Sequence, residues 1–238
     1  MDLLDGIKYN IKGVALALKT PKLLMLGIFR FIFVLLLVFL LSGLIFYWHD
    51  EILNMIWKKP DSAWLIYLWQ VVSYLLSIVL SGIAMVMAYL ISQLLFCVFI
   101  MDYMSRLTES IALGKQIQTG QGSFFNFFIH LVKQEIPRAV LPVIITLFIM
   151  ITGLFTPLSP IIIFVSSIAA AVFLAWDNTD LVPARRMYPF KARVGYLKNN
   201  LMFHIGFGSL FLIPGLNIVF LSFAPVGATL SFIEREGG

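Results

Sequence analysis

Charge is scarce in this chain. Asp, Glu, Lys and Arg make up 12% of its 238 residues, about half the ~25% of an ordinary soluble domain, while hydrophobic residues reach 61%. The shortage excludes a water-soluble globular protein, and 238 residues leave room for one membrane domain but none for a separate soluble domain of usual size. Cysteine is nearly absent as well. Cys97 is the only one and lies in an apolar run, so there is no disulfide framework and no Cys-x-x-Cys pair for metal or redox chemistry. The first 20 residues mix Asp2 and Asp5 with Lys8, Lys12 and Lys19 and lack an apolar core followed by a small-residue cleavage site, so no signal peptide is read. Catalytic signatures are missing too: no Gly-x-Ser-x-Gly, no His-Glu-x-x-His, no glycine-rich phosphate loop, and no i,i+4 carboxylate partner for His49, His130 or His204. No enzyme, cofactor or metal centre is read. No paired carboxylates stand inside an apolar stretch, which removes a visible proton relay.

What the chain does have is four long uncharged or nearly uncharged stretches. Leu23–Trp48 is interrupted by charge only at Arg30, and Trp64–Ile100 carries none over 37 residues. Ala139–Trp176 carries none over 38 and is broken by Thr156-Pro157-Leu158-Ser159-Pro160; Leu201–Ile233 carries none over 33 and is broken by Pro214-Gly215-Leu216-Asn217. Fifteen of the seventeen basic residues fall in residues 1–30, 102–138, 177–200 and the tail, leaving Lys58 and Lys59 in the loop from His49 to Ser62. By the positive-inside rule the termini and both long polar segments are cytoplasmic and that loop is external. The net charge of +5 follows from topology and calls for no nucleic acid.

The expected architecture is an all-α integral membrane protein forming a single domain over residues 1–238. Leu3, Leu4, Ile7, Ile11, Val14, Ala15 and Leu18 recur at helical spacing and predict an amphipathic interfacial helix over 1–20. A first transmembrane helix is expected over 23–48. A second, over 64–113, continues into the cytoplasm, because 37 apolar residues as one helix would measure about 55 Å against a core of about 30 Å. Ser123 is the expected N-cap of a further interfacial helix over 123–135. Two partly penetrating hairpins are expected, at 139–176 and 201–233, with legs Ala139–Phe155, Ile161–Trp176, Leu201–Ile213 and Ile218–Ile233. Each is folded around a proline-marked tip, since lipid tolerates broken backbone only where protein or water satisfies it.

Several short elements in this order resemble the CysZ family of bacterial inner-membrane sulfate permeases. They are Pro21-Lys22-Leu23, Asp102 with Glu109 seven residues on, Lys133-Gln134-Glu135, Trp176-Asp177-Asn178, Phe207-Gly208 followed by Ile213-Pro214-Gly215-Leu216-Asn217, and Pro225-Val226-Gly227-Ala228-Thr229. The resemblance covers about Cys97 to Glu234 well and the first two spans thinly. It implies long transmembrane helices, two hemi-penetrating hairpins, oligomeric assembly and sulfate uptake. The chain departs from the family pattern at Leu24, where Pro-x-Leu is followed by Arg in the family, and at Ala175-Trp176, where an Asp-Tyr-Pro-like run is reduced.

The residues carry two readings at each candidate position. Arg30 either snorkels to the headgroups or, with Lys22 two turns earlier on the same face, binds an anion. Pro214, Gly215, Leu216 and Asn217 are either a structural bend or an anion site of free amides, the Asn217 side chain and the positive end of a helix starting at Asn217. Arg185, Arg186, Lys191 and Arg193 are either a basic loop on anionic lipid or a funnel concentrating an oxyanion. Asp177-Asn178-Thr179-Asp180 fits a helix-capping turn better than a metal ligand set, and His204 is read as structural. The leading expectation is an anion permease or channel of the CysZ type, passing sulfate or a similar oxyanion across the inner membrane as a homo-oligomer in contact with lipid. The alternative is a non-transporting scaffold that binds lipid or a partner through Phe124, Phe125, Phe127 and Phe128.

Overall fold

A computed structural model describes residues 2–92, 98–114, 136, 140–149, 151–153 and 159–236. Every regular element among them is helical. In chain order these are α1 (Leu3–Lys19), α2 (Pro21–Tyr47), α3 (His49–Ile56), α4 (Ala63–Ser92), α5 (Val98–Leu113), α6 (Val140–Gly153), α7 (Ser159–Thr179), α8 (Leu181–Arg185), α9 (Phe190–Asn199), α10 (Leu201–Ser209) and α11 (Leu216–Glu236), with a single 3-10 turn at Leu210–Leu212. Four of them, α2, α4, α7 and α11, are long and apolar enough to cross a membrane, so the protein is an integral membrane protein. The 123–135 helix with its Ser123 cap, Phe124 to Phe128, Cys97, His130, Lys133-Gln134-Glu135 and the Thr156-Pro157-Leu158 tip lie outside the described residues. So do residues 93–97, which separate α4 from α5.

The chain divides into two compact units, Met1–Phe31 with Gln93–Gly238, and Ile32–Ser92. The larger is organised around α11. One face of that helix, Ala224 and Ala228, packs with Tyr9, Ala175, Phe203, Phe207 and Phe211. A second face, Phe223 and Val226, packs with Ala17, Leu23, Met104 and Leu107. In lipid the gain from such contacts comes from close packing rather than from escape from water, and small residues let backbones approach. α1 shows this. Its buried residues are Gly6, Tyr9, Asn10, Gly13 and Ala17, and they cross α10 and α11 so closely that a Cβ at Gly13 would stand 2.3 Å from the Gly227 nitrogen. A Cβ at Gly206 would meet the Leu3 carbonyl oxygen at 1.9 Å.

α1 therefore turns its small residues to the protein, while Leu4, Ile11 and Leu18, three residues of the apolar series, stay exposed. The helical spacing marked the helix, but its partner is not found by the greasiest face. Where the proline-marked second hairpin is expected, α10 and its 3-10 turn are followed by a bend with Gly215 at φ +83° and then by α11. Pro-Gly bends need a left-handed residue after proline, and Gly215 supplies it. The legs are unequal. α10 has 9 residues, about 14 Å, whereas α11 has 21, about 32 Å, and matches a bilayer core. α6 and α7 are likewise a shorter helix followed by a longer one. Both long legs exceed the expected Ile161–Trp176 and Ile218–Ile233, because polar residues at their ends find partners in the protein and the helices do not stop where hydropathy does.

Within the smaller unit, the expected external loop from His49 to Ser62 is helical over its first half, as α3. His49 ties α3 to α4: its Nε2 lies 3.0 Å from the Ser77 hydroxyl and its Nδ1 3.1 Å from Asp50. The order Ser, His, Asp is that of a nucleophile relay. However, Ser77 is inside α4 and also donates to the Ser73 carbonyl, and the amides around it are consumed by the helix, so no oxyanion donors accompany it.

Candidate functional site

Pro225 lies inside α11. Proline has no N–H, so the carbonyl four residues earlier, that of Leu221, loses its helical partner. Arg30 fills the gap: its Nη1 donates to the Leu221 oxygen at 2.9 Å from a position 9% exposed. The same device recurs at the neighbouring helix, where Asn10 Nδ2 donates at 2.8 Å to the carbonyl of Phe207, one of the last four of α10. Broken backbone in α10 and in α11 is thus satisfied by a polar side chain from α1 or α2.

Of the other candidate residues, those of the Pro214–Asn217 bend lie nearest this point. Leu221 is one helical turn, about 6 Å, beyond Asn217, so Arg30 is brought close to the bend at Pro214-Gly215. Pro214, Gly215 and Leu216 are exposed at that tip, and Asn217 is half-buried. α11 starts one residue earlier than expected, at Leu216, and the Asn217 amide is used by the Ile213 carbonyl at 2.9 Å. The Asn217 side chain makes no hydrogen bond among the described residues and is not the cap. Lys22 is exposed in the first turn of α2, about 12 Å along the helix from Arg30, and is not joined to the tip.

A family comparison bears on the whole of this arrangement. The family described as Sulfate transporter CysZ/Etoposide-induced protein 2.4 matches residues 9–222 of the chain. The chain belongs to that family. No curated protein matches it.

In this CysZ/etoposide-induced protein 2.4 family member the arginines of the 177–200 segment are matched with acids. α5 presents Asp102, Ser105, Arg106 and Glu109 on one face. Arg185 reaches Asp102 at 3.1 Å and Ser105 at 3.2 Å and pairs with Glu109. Arg106 pairs with Asp102 at 2.8 Å, and the Ser105 hydroxyl lies 2.8 Å from that of Thr229 on α11. Arg186 is within 3.5 Å of Glu109 and rests 4.9 Å above the Phe232 ring. Arg193 is held by both oxygens of Asp180, its Nε at 2.8 and 2.9 Å, with the pair 3% and 2% exposed. Such a pair resists rupture, since removing one partner leaves a bare buried charge. These arginines join α5, α8, α9 and α11; only Arg186 among them faces solvent broadly.

The Asp177–Asp180 turn also differs from its capping expectation. Asp180 makes no cap hydrogen bond at the start of α8 and spends its carboxylate on Arg193. Thr179 instead meets His204, whose Nε2 is 3.0 Å from the hydroxyl and whose Nδ1 is 2.8 Å from the Asn200 carbonyl. A carbonyl only accepts, so Nδ1 carries the proton and in the neutral ring Nε2 accepts from Thr179. At the other side of α11, Tyr9 donates at 2.5 Å to Glu234, which also holds Lys12 at 3.0 Å. Burial and the Glu234 carboxylate push the Tyr9 hydroxyl up to about 12, and it stays a donor. Pro225 in an apolar stretch was the available signal for the Arg30 contact. Nothing in the spacing of Asp180 and Arg193, thirteen residues apart, pointed to their pairing.

Proposed function

We propose that this protein is an anion permease or channel of the CysZ type that passes sulfate or a similar oxyanion across the bacterial inner membrane. The observation that carries the reading is a family match over 9–222 together with a buried arginine set beside the broken hairpin. A guanidinium has five N–H donors, and Arg30 uses one on the Leu221 carbonyl. That bond fixes the side chain and leaves the other donors for a tetrahedral oxyanion, which a planar fork matches well. Asn217, one turn nearer the tip, supplies a neutral amide donor, and the first turn of α11 turns its positive end and the Pro214-Gly215-Leu216 bend toward the same region. In this reading Lys22 attracts the anion at the start of α2, and Arg185, Arg186 and Arg193 act through a field already moderated by their acids. The protein works as a homo-oligomer with both termini cytoplasmic and needs no cofactor and no catalytic step.

Purified protein in liposomes should take up radiolabelled sulfate in preference to chloride. Asn217→Ala removes a donor that only the anion uses and should lower flux about ten- to hundredfold, the equivalent of ~1.5–3 kcal/mol, with assembly intact. Arg30→Gln should act in the same direction. Sulfate flux absent in the wild type, with binding insensitive to both changes, would remove the permease reading and leave the scaffold.

A further inference from the structure

α1 has two faces, and only one of them is docked. Gly6, Tyr9, Asn10, Gly13 and Ala17 are buried against α10 and α11. At about 100° per residue, the opposite side of the helix carries Leu4, Ile11, Ala15 and Leu18 within an arc of about 60°, and all four are exposed. Lys8 and Lys19 follow along one edge of that stripe, about 16 Å apart along the axis, and are exposed as well. Lys12 lies further round, toward the protein, and is the lysine that Glu234 takes, at 3.0 Å. Lys8 acts on Glu234 only through space, and neither Lys8 nor Lys19 makes an ion pair among the described residues. The acids of α1 stand at its start, where the Asp5 carboxylate accepts the Asp2 amide at 3.1 Å.

The position of α1 fixes what lies beyond that stripe. Only Thr20, with an extended backbone, separates it from α2, and α2 is long and apolar enough to cross a bilayer. Where such a helix begins, hydrocarbon gives way to headgroups. A stripe of leucine and isoleucine bordered by lysine matches that boundary on both counts, with apolar carbon for the acyl chains and ammonium for the phosphates. A second copy of the chain laid on the same face would meet lysine and find no acid between residues 6 and 22 to answer it.

We propose that the outward face of α1 docks on the anionic phospholipids of the leaflet in which α2 begins, with Lys8 and Lys19 on the headgroup phosphates and Leu4, Ile11 and Leu18 in the acyl carbon. Lysine suits a headgroup layer, because its ammonium is a point charge on a flexible stem and needs no fixed geometry. A zwitterionic headgroup brings an ammonium of its own, which meets the lysine row with like charge, so the preference is for lipid of net negative charge. Because the other face of α1 holds α10 and α11, the leaflet that holds α1 also steadies the two helices on either side of the Pro214-Gly215 bend. This role is separate from anion passage and does not rest on it.

Fluorescence quenching by brominated lipid reads this on the full-length protein. Cys97, the single cysteine, is replaced by alanine, and a fluorophore is attached at Ala15→Cys, in the middle of the stripe. The vesicles hold equal phosphatidylglycerol and phosphatidylcholine, with bromine on the acyl chains of one or the other. Quenching should report phosphatidylglycerol enriched about fivefold around α1, the equivalent of ~1 kcal/mol from a lysine at an anionic surface. Lys8→Gln/Lys19→Gln should bring the two lipids level at an unchanged melting temperature, since neither lysine is on the docked face. Equal quenching by the two lipids with both lysines present, or an undiminished preference in the double variant, would overturn the anionic assignment. Quenching by neither lipid would place water or protein against the stripe and overturn the leaflet itself. No sulfate enters the measurement, so its outcome is independent of the permease reading.

Discussion

α2 and α11 are both long enough to cross a bilayer, yet the more hydrophobic of the two is the one with fewer neighbours. α2 has a mean hydropathy of 2.9 over its best window and 17% of that window buried, whereas α11 has 1.8 and 61%. The difference lies in small and polar residues. α11 carries Ser222, Ala224, Pro225, Gly227, Ala228, Thr229 and Ser231, all buried, and uses them for backbone approach and for hydrogen bonds that lipid cannot supply. In α2, by contrast, Met25, Phe29, Leu36, Phe39, Leu40 and Leu44 are exposed. Hydropathy finds the solvent of a helix. The interruptions in its hydropathy find its neighbours.

The packed region should be fragile where the bare helices are tolerant, and the largest effect is expected at its buried charges. Asp180→Asn takes the carboxylate that two nitrogens of buried Arg193 contact and should cost about 3–5 kcal/mol, read as a lower melting temperature in detergent, while an Asp180→Leu/Arg193→Leu double change should recover much of it. A double variant as unstable as the single one would show that the pair is held by more than its own charge. Next comes the glycine crossing. Gly227→Ala forces a methyl group to about 2.4 Å from the Tyr9 carbonyl oxygen and should cost about 1–3 kcal/mol. In α2, Gly43→Ala meets nothing within 4 Å among the described residues and should gain about 0.5–1 kcal/mol from helix propensity. Equal effects at the two glycines would break the comparison. A coupling between two sites tests the carbonyl freed by proline. Pro225→Ala returns an N–H to the Leu221 carbonyl, so Arg30→Gln should destabilise the wild type by about 1–2 kcal/mol more than it destabilises the Pro225→Ala protein. Additive costs would mean that Arg30 is held by something other than that carbonyl.

Much of the fold could be read from residue order. Uncharged runs of 33 to 38 residues and the proline-marked breaks within the last two identify an all-helical membrane protein, and helical spacing from Leu3 to Leu18 marks α1. The orientation of α1 could not be read. An apolar stripe in a membrane protein faces lipid as readily as protein, and tertiary contacts such as the approach of Gly13 to Gly227 show which side is buried. The candidate site was legible in part. A proline at 225 announces an orphan carbonyl at 221, because the missing N–H is a covalent fact, but the donor's identity depends on which helix passes there. The arginines of the 177–200 segment were legible as positive charge alone. Their acids come from residues 102, 109 and 180, two of them some 80 residues away, and proximity at that range belongs to helix packing.

What the sequence by itself determined is therefore the solvent, the helical backbone and the positions where that backbone breaks, since each follows from properties of single residues or of short windows: transfer cost, missing donors, fixed φ. The tertiary structure alone decided that Arg30 caps a carbonyl, that Asp180 neutralises Arg193, and that α11 rather than the greasier α2 is the packed centre. Those outcomes depend on which surfaces meet, and in a membrane, where every apolar face already has a favourable solvent, the choice falls to small residues and polar pairs that have meaning only once their partners are in place.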